Sequence, residues 1–201
     1  DIKKLLILLL PAIIGNGAYQ INLLIDMILA STLPDGSISY LYYSDRINQL
    51  PLGVFGIAIS TALLPLLSEQ IKRNKKQESK KSISNAIKFS FIFSIPSATG
   101  IFLLSNEIVS FLFERGAFDS LDSVLTSQSL VALSLGLPAF ILIKILVVPF
   151  FANEDTKTPI YVSLVSMLLN LILNLILIQK FLHVGLAIAT SVSAWVNAFI
   201  L

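Results

Sequence analysis

Six stretches of the chain contain no Asp, Glu, Lys or Arg: residues 5–25, 47–68, 89–106, 123–143, 158–179 and 181–201. A helix needs ~20 mostly apolar residues to cross ~30 Å of hydrocarbon, and these stretches run to about 18 to 22, so each is a candidate transmembrane span. With capped and tilted ends, helices are expected near 5–32, 38–67, 86–113, 123–151, 158–180 and 184–201. Runs such as LLILLL and LLNLILNLILI do not alternate apolar with polar residues, as the ~10-residue strands of a membrane β-barrel would. The first stretch lacks a small-residue cleavage pattern and is followed by five like it, so it reads as a span and not as a signal peptide. The expected fold class is an all-α polytopic membrane protein with six transmembrane helices.

Composition agrees with this reading. Hydrophobic residues make up 55% of the 201 and charged residues only 13%, against about 25% in soluble domains. Mean hydropathy is +0.85. With no cysteine and one histidine, disulfide scaffolds, thiolate metal sites and the common zinc and triad chemistries lack their parts, so no enzyme activity is expected. His183 is expected to be an exposed bystander in a short outer loop.

Lysine and arginine set the orientation. If the first helix starts in the cytoplasm, the inner segments hold Lys3, Lys4, Lys72, Arg73, Lys75, Lys76, Lys80, Lys81, Lys88 and Lys157, and the outer loops hold only Arg115 and Lys180. The basic connection 69–85 is then a cytoplasmic loop, an orientation determinant that contacts anionic membrane lipids. It has no aromatic residue to stack on a base, so nucleic acid is not an expected partner.

Polar groups within apolar spans are costly and therefore informative. Lys144 lies ~30 Å along a helix that enters from outside, where its long side chain can snorkel to the inner headgroups. Asp45 and Arg46 lie about two turns into the second helix. Neighbours in sequence point about 100° apart and make a poor mutual ion pair, so Arg46 either faces a wet cavity, where its planar fork suits phosphate oxygens, or anchors at the interface to a carboxylate of another helix. Pro51, Gly53 and Gly56 follow, permitting a hinge or close packing. Asp26, Asn170, Asn174 and Thr190 lie toward the outer half of three helices. One carboxylate with amide and hydroxyl oxygens, completed by a carbonyl such as that of Leu186, is a hard-ligand set suited to Na⁺; the same groups could instead form an interhelical hydrogen-bond cluster with Asp26 protonated.

The segments YYSDRINQLPLGVFGIAISTALLP, LFERGAF followed by Asp119, and NEDTKTP resemble the MurJ (MviN) family, the lipid II flippases of bacterial peptidoglycan synthesis, and the resemblance extends over essentially the whole chain. It implies an exporter fold of two six-helix lobes around a central cavity, of which this chain is the second lobe, in the bacterial inner membrane. The first lobe and two final helices are then missing: either they lie on another chain, or this is a fragment or truncated gene product, and the chain is not expected to transport alone. The implied substrate is lipid II, an undecaprenyl-pyrophosphate-linked disaccharide pentapeptide moved between leaflets by alternating access. Asp45 and Arg46 match the family's cavity-facing pair, and Asp26, Asn170, Asn174, Leu186 by its carbonyl, and Thr190 match a sodium site described for some members. Asn174 stands where that pattern can have a second carboxylate. The alternatives are a cation-coupled drug or polysaccharide exporter lobe and an inactive membrane module.

Overall fold

The computed structural model describes residues 22–201. Lys3, Lys4 and most of the helix expected near 5–32 lie outside the described residues. A helix over residues 22–30 (α1) leads through a turn to α2 (Ser37–Pro51), a π-helical segment (Leu52–Ile57), α3 (Ala58–Lys72), α4 (Lys76–Leu103), α5 (Ser105–Phe113), α6 (Ser120–Ala152) and α7 (Lys157–Ile200). The described residues contain no strand, only an isolated bridge between Arg115 and Phe118.

Among the described residues, four helical stretches are long and apolar enough to cross a membrane: Ser37–Lys72, Lys76–Leu103, Ser120–Ala152 and Lys157–Ile200. The last has 44 residues, about twice the length a span requires, and it breaks at Leu182 (φ 51, ψ −131). Its halves fold back on each other, since a Cβ at Gly185 would meet the Leu177 carbonyl oxygen at 2.6 Å while Asn170 reaches Ser193. These pairings define an antiparallel hairpin, so α7 contributes two spans.

α6 is the central post and packs against α2, the π segment, α3, α4, α5 and α7. One side of it supplies Leu130, Leu137, Ile141, Ile145 and Val148 to a core shared with Ile47, Leu63, Leu67, Ala86, Ile101 and Val109. The side toward α7 is lined with small residues. Ser191 Oγ donates to the Ala132 carbonyl at 2.7 Å, and a Cβ added at Gly136 would lie 2.9 Å from Ser191 Cα, so the two backbones touch. Large apolar side chains face outward on the other helices, with Phe111 88% and Phe199 81% exposed, the arrangement expected when lipid is the solvent.

The helix bounds differ from the expected ones in three places. Most of the basic stretch 69–85, expected as a loop, is helical, because Lys, Gln, Glu and Ser between two apolar runs interrupt hydropathy without interrupting helix propensity. Only a short turn separates α3 from α4: Asn74 takes a left-handed φ of 56° and the Lys75 amide reaches back to the Gln70 carbonyl at 2.9 Å, a Schellman-type stop. The span expected over 86–113 is interrupted at Leu104 (φ −110, ψ 20), where α4 ends and α5 begins. α6 starts three residues earlier than expected, fixed by the reciprocal capping box of Asp119 and Asp122.

Candidate cation and anion sites in the membrane-spanning helices

Two polar constellations lie within the apolar helices. The first assembles around α7. Asn170 and Asn174, four residues apart, point from one face of its first half and are 1% and 0% exposed. The Asn174 amide nitrogen donates to Asp26 Oδ1 of α1 at 2.6 Å and to Asn170 Oδ1 at 2.9 Å. The Asn170 amide nitrogen reaches Thr190 Oγ1 and Ser193 Oγ of the second half, both at 3.4 Å, and Thr190 Oγ1 donates to the Leu186 carbonyl at 3.0 Å. All five groups picked out in the sequence are therefore brought into one connected network, joined by Ser193 and by Asn22, which donates to Asp26 Oδ2 at 3.5 Å.

The network is not fully satisfied. Asn174 Oδ1 and Asn22 Oδ1 are buried without a hydrogen-bond partner, an arrangement that costs roughly 1–3 kcal/mol per group. An NH₂ group set between a carboxylate oxygen and an amide oxygen, beside orphaned oxygens, fits a hard cation chemically: rotating the two amides turns their oxygens inward, where they join the Asp26 carboxylate, the Thr190 hydroxyl and the Leu186 carbonyl.

The second constellation is built within α2. The Gln49 side chain donates through its nitrogen to Asp45 Oδ2 and accepts through Oε1 from Arg46 Nη1 at 3.2 Å. The guanidinium lies 4.7 Å from the centre of the Tyr42 ring. Asp45 and Arg46 are thus linked through a third side chain and not to each other, and Arg46 remains exposed. Immediately below, Pro51 has no N–H to donate, and the helix widens into the π segment holding Gly53 and Gly56. Gly56 packs, with a Cβ there 3.6 Å from Ile141 Cα, whereas nothing lies within 4 Å of one at Gly53.

Besides Asn22 and Ser193, the sequence reading did not single out Gln49, Tyr40 or Asp122, and it placed His183 differently. Gln49 stands four residues after Asp45 and was recoverable from that spacing. Tyr40, Asp122 and His183 form a clasp: Tyr40 OH donates to Asp122 Oδ1 at 2.8 Å, its ring lies 5.3 Å from that of His183, and His183 Nε2 is 3.1 Å from the Leu125 carbonyl. His183 is only 5% exposed, not an exposed bystander, because the break at Leu182 turns it inward against α6. Lys144 is exposed.

A central helix ringed by apolar spans, with a buried polar side-chain network and an exposed guanidinium, defines one lobe of a membrane exporter fold. Solved structures agree. The chain superposes on an outward-facing multidrug-resistance MATE transporter of the MOP superfamily with a TM-score of 0.81 at 18% identity, covering 95% of this chain and 42% of that one. It superposes on an inward closed lipid II flippase MurJ with a TM-score of 0.84 at 34% identity, covering 95% and 40%. The family model described as lipid II flippase MurJ matches residues 1–201. The probable lipid II flippase MurJ of Rickettsia prowazekii is 43% identical over 197 residues, 98% of this chain and 39% of the relative. That of Haemophilus influenzae is 42% identical over 207 residues, 100% and 40%. The chain belongs to the MurJ family and spans about two fifths of the length of these relatives.

Proposed function

We propose that this chain serves as the second lobe of a lipid II flippase in the bacterial inner membrane, moving the lipid-linked precursor from the inner to the outer leaflet by alternating access against a first lobe, without covalent chemistry. The observation that carries the reading is the exposed guanidinium of Arg46 near one end of the membrane-spanning stretch Ser37–Lys72, preset by Gln49 and the Tyr42 ring. A preset planar fork loses little freedom on receiving pyrophosphate oxygens bidentately. Asp45, tied to the same Gln49, keeps that side chain turned toward Arg46. The basic ends of α3 and α4 face the cytoplasm and its anionic lipids.

The buried network of Asp26, Asn170, Asn174, Leu186 and Thr190 is a sodium site in this reading, supported by the orphaned Asn174 oxygen. A bound sodium ion supplies one positive charge against the Asp26 carboxylate. The residues themselves do the coupling: they join α1 to both halves of α7, so their arrangement sets the angle between these helices. Pro51, Gly53 and the π segment form the hinge that lets α2 move while Gly56 stays seated on α6.

The test is complementation. Cells depleted of their own flippase and supplied with the full-length protein carrying Arg46→Gln should lose outer-leaflet lipid II and lyse. Unchanged exposure of lipid II in those cells rejects the reading.

A further inference from the structure

α2 and α6 meet at two fixed points. Tyr40 OH donates to Asp122 Oδ1 at 2.8 Å near the start of both helices, and beyond the end of α2 Gly56 sits on α6, where a Cβ would lie 3.6 Å from Ile141 Cα. The order of these two pairs makes the helices run in the same direction. Between them α2 buries Ser44, Ile47 and Asn48. At about 100° per residue, Thr126 and Ser129 lie within about 40° of Asp122 around the axis of α6, so they face α2. Both are wholly buried.

The buried hydroxyls of α6 divide by side. Ser123, Ser127 and Ser134 lie about 100–140° from Asp122, turned away from α2. Each returns its proton to a carbonyl three or four residues back, those of Asp119, Val124 and Val131, at 3.2, 2.8 and 2.7 Å. Thr126 Oγ1 and Ser129 Oγ, on the side of α2, are buried without a hydrogen-bond partner, and so is Asn48 Oδ1 across from them. A helical hydroxyl has its own helix's carbonyls within reach, so two on one face that decline them point to a different partner. Ser44 Oγ donates to the Leu41 carbonyl at 3.0 Å and keeps a lone pair. These four groups are uncharged. Two can donate or accept, and the amide oxygen only accepts; water does both, and buried polar groups without protein partners are where internal water is held, by about two to four of them. Further along the same contact the seam becomes apolar, with Ile47, Leu137 and Ile141 in one core.

We propose that the half of the α2–α6 contact next to Tyr40 and Asp122 binds internal water through Thr126, Ser129 and Asn48, and that this wet half is the surface over which α2 slides. Bonds through water re-form in neighbouring registers, whereas interdigitated apolar side chains hold one. The sliding rests on the hinge reading of the π segment; the water does not. Pulsed radiolysis of the full chain in detergent micelles made up in ¹⁸O-water generates hydroxyl radicals from bound water and marks the side chains beside it. Leu133, on the α2 face of α6, should be marked and Val148 should not, although each is 5% exposed. The double variant Thr126→Val, Ser129→Ala keeps the shape of the seam and should lower the marking of Leu133 about fivefold, the equivalent of one hydrogen bond. The same double variant in the full-length protein should slow the appearance of outer-leaflet lipid II in flippase-depleted cells. An unmarked Leu133 in the wild type, or a double variant that melts higher and is marked as before, overturns the water site. Marking with Gly53→Ala transporting at the wild-type rate overturns the hinge reading alone. Marking, a Gly53→Ala defect and a double variant that transports normally overturn the sliding.

Discussion

The α7 network and the Arg46 group are both polar constellations in apolar helices, yet they are made in opposite ways. The first is assembled by tertiary structure: α1 and the two halves of α7 must meet before Asp26, Asn170, Asn174 and Thr190 see one another, and the two asparagines are then wholly enclosed. The second is written into one helix, where spacings of three and four bring Gln49 to Asp45 and Arg46, and Arg46 stays accessible. Burial makes the first a contributor to folding as well as function. Exposure leaves the second almost free of any folding role, so its cost in an apolar span is explained by use.

Replacing Asn174 should therefore have the largest effect on stability. Asn174→Leu removes the donor to both Asp26 and Asn170 and leaves two buried oxygens unpaired, so a loss of about 2–4 kcal/mol is expected, read as a lowered melting temperature in detergent. A melting temperature within a degree of wild type would show that the network contributes nothing to folding and would erase the contrast. Next in size is the response to sodium. At a concentration ~100-fold above its dissociation constant, Na⁺ should stabilise the chain by about 2.7 kcal/mol against a choline control, and Asp26→Ala should abolish the shift. Absence of a shift in wild type leaves a hydrogen-bond cluster in place of the cation site.

The same contrast explains what was legible in the sequence. The spans could be read because hydropathy over ~20 residues is a local property, and so could Asp26, Asn170, Asn174 and Thr190 of the α7 network, because a polar side chain is conspicuous where lipid is expected. The hydrogen bonds of that network could not: which nitrogen faces which oxygen depends on how α1 meets the hairpin. His183 shows the limit most clearly. Its neighbours Phe181 and Leu182 are 49% and 44% exposed, as expected of a loop, but the left-handed break at Leu182 swings the imidazole against the Leu125 carbonyl, and no periodicity announces a single residue's φ. The basic stretch 69–85 is largely helical where a loop is expected, since a run of charge ends an apolar stretch without ending a helix. The aromatic cluster of Tyr43, Phe113 and Phe118 is not legible in the sequence because it joins α2 to residues 113–118, far apart along the chain.

Smaller effects probe the parts of α2. Gly53→Ala meets open space and reduces the freedom of the unfolded chain, so it should stabilise by up to about 1 kcal/mol while slowing transport if the π segment is the hinge. Faster or unchanged transport would locate the hinge elsewhere. Arg46→Gln should change the melting temperature by less than the equivalent of about 0.5 kcal/mol even as complementation is lost, since the guanidinium is exposed and its one bond is to Gln49. A stability loss as large as that of Asn174→Leu would make Arg46 a structural anchor and collapse the distinction between the two sites.

The smallest effect lies outside both constellations, where α7 begins. Asp155 accepts from Thr158 Oγ1 at 2.6 Å and from the amides of Lys157 and Thr158 at 3.0 and 3.1 Å. These bonds, first of all the one from the Thr158 hydroxyl, favour the ionised carboxylate and hold its pKa below the usual value. A carboxylate with a depressed native pKa contributes stability that is fully present above the ordinary carboxylate range and is lost as the pH falls through the native value. The side chain is exposed, so solvent screens the interaction and the contribution is small. Melting curves of wild type and Asp155→Asn should accordingly differ slightly at pH 7 and converge as the pH falls through the lowered native value. A difference that persists undiminished in acid would mean that the substitution acts through the turn between α6 and α7 and not through the charge.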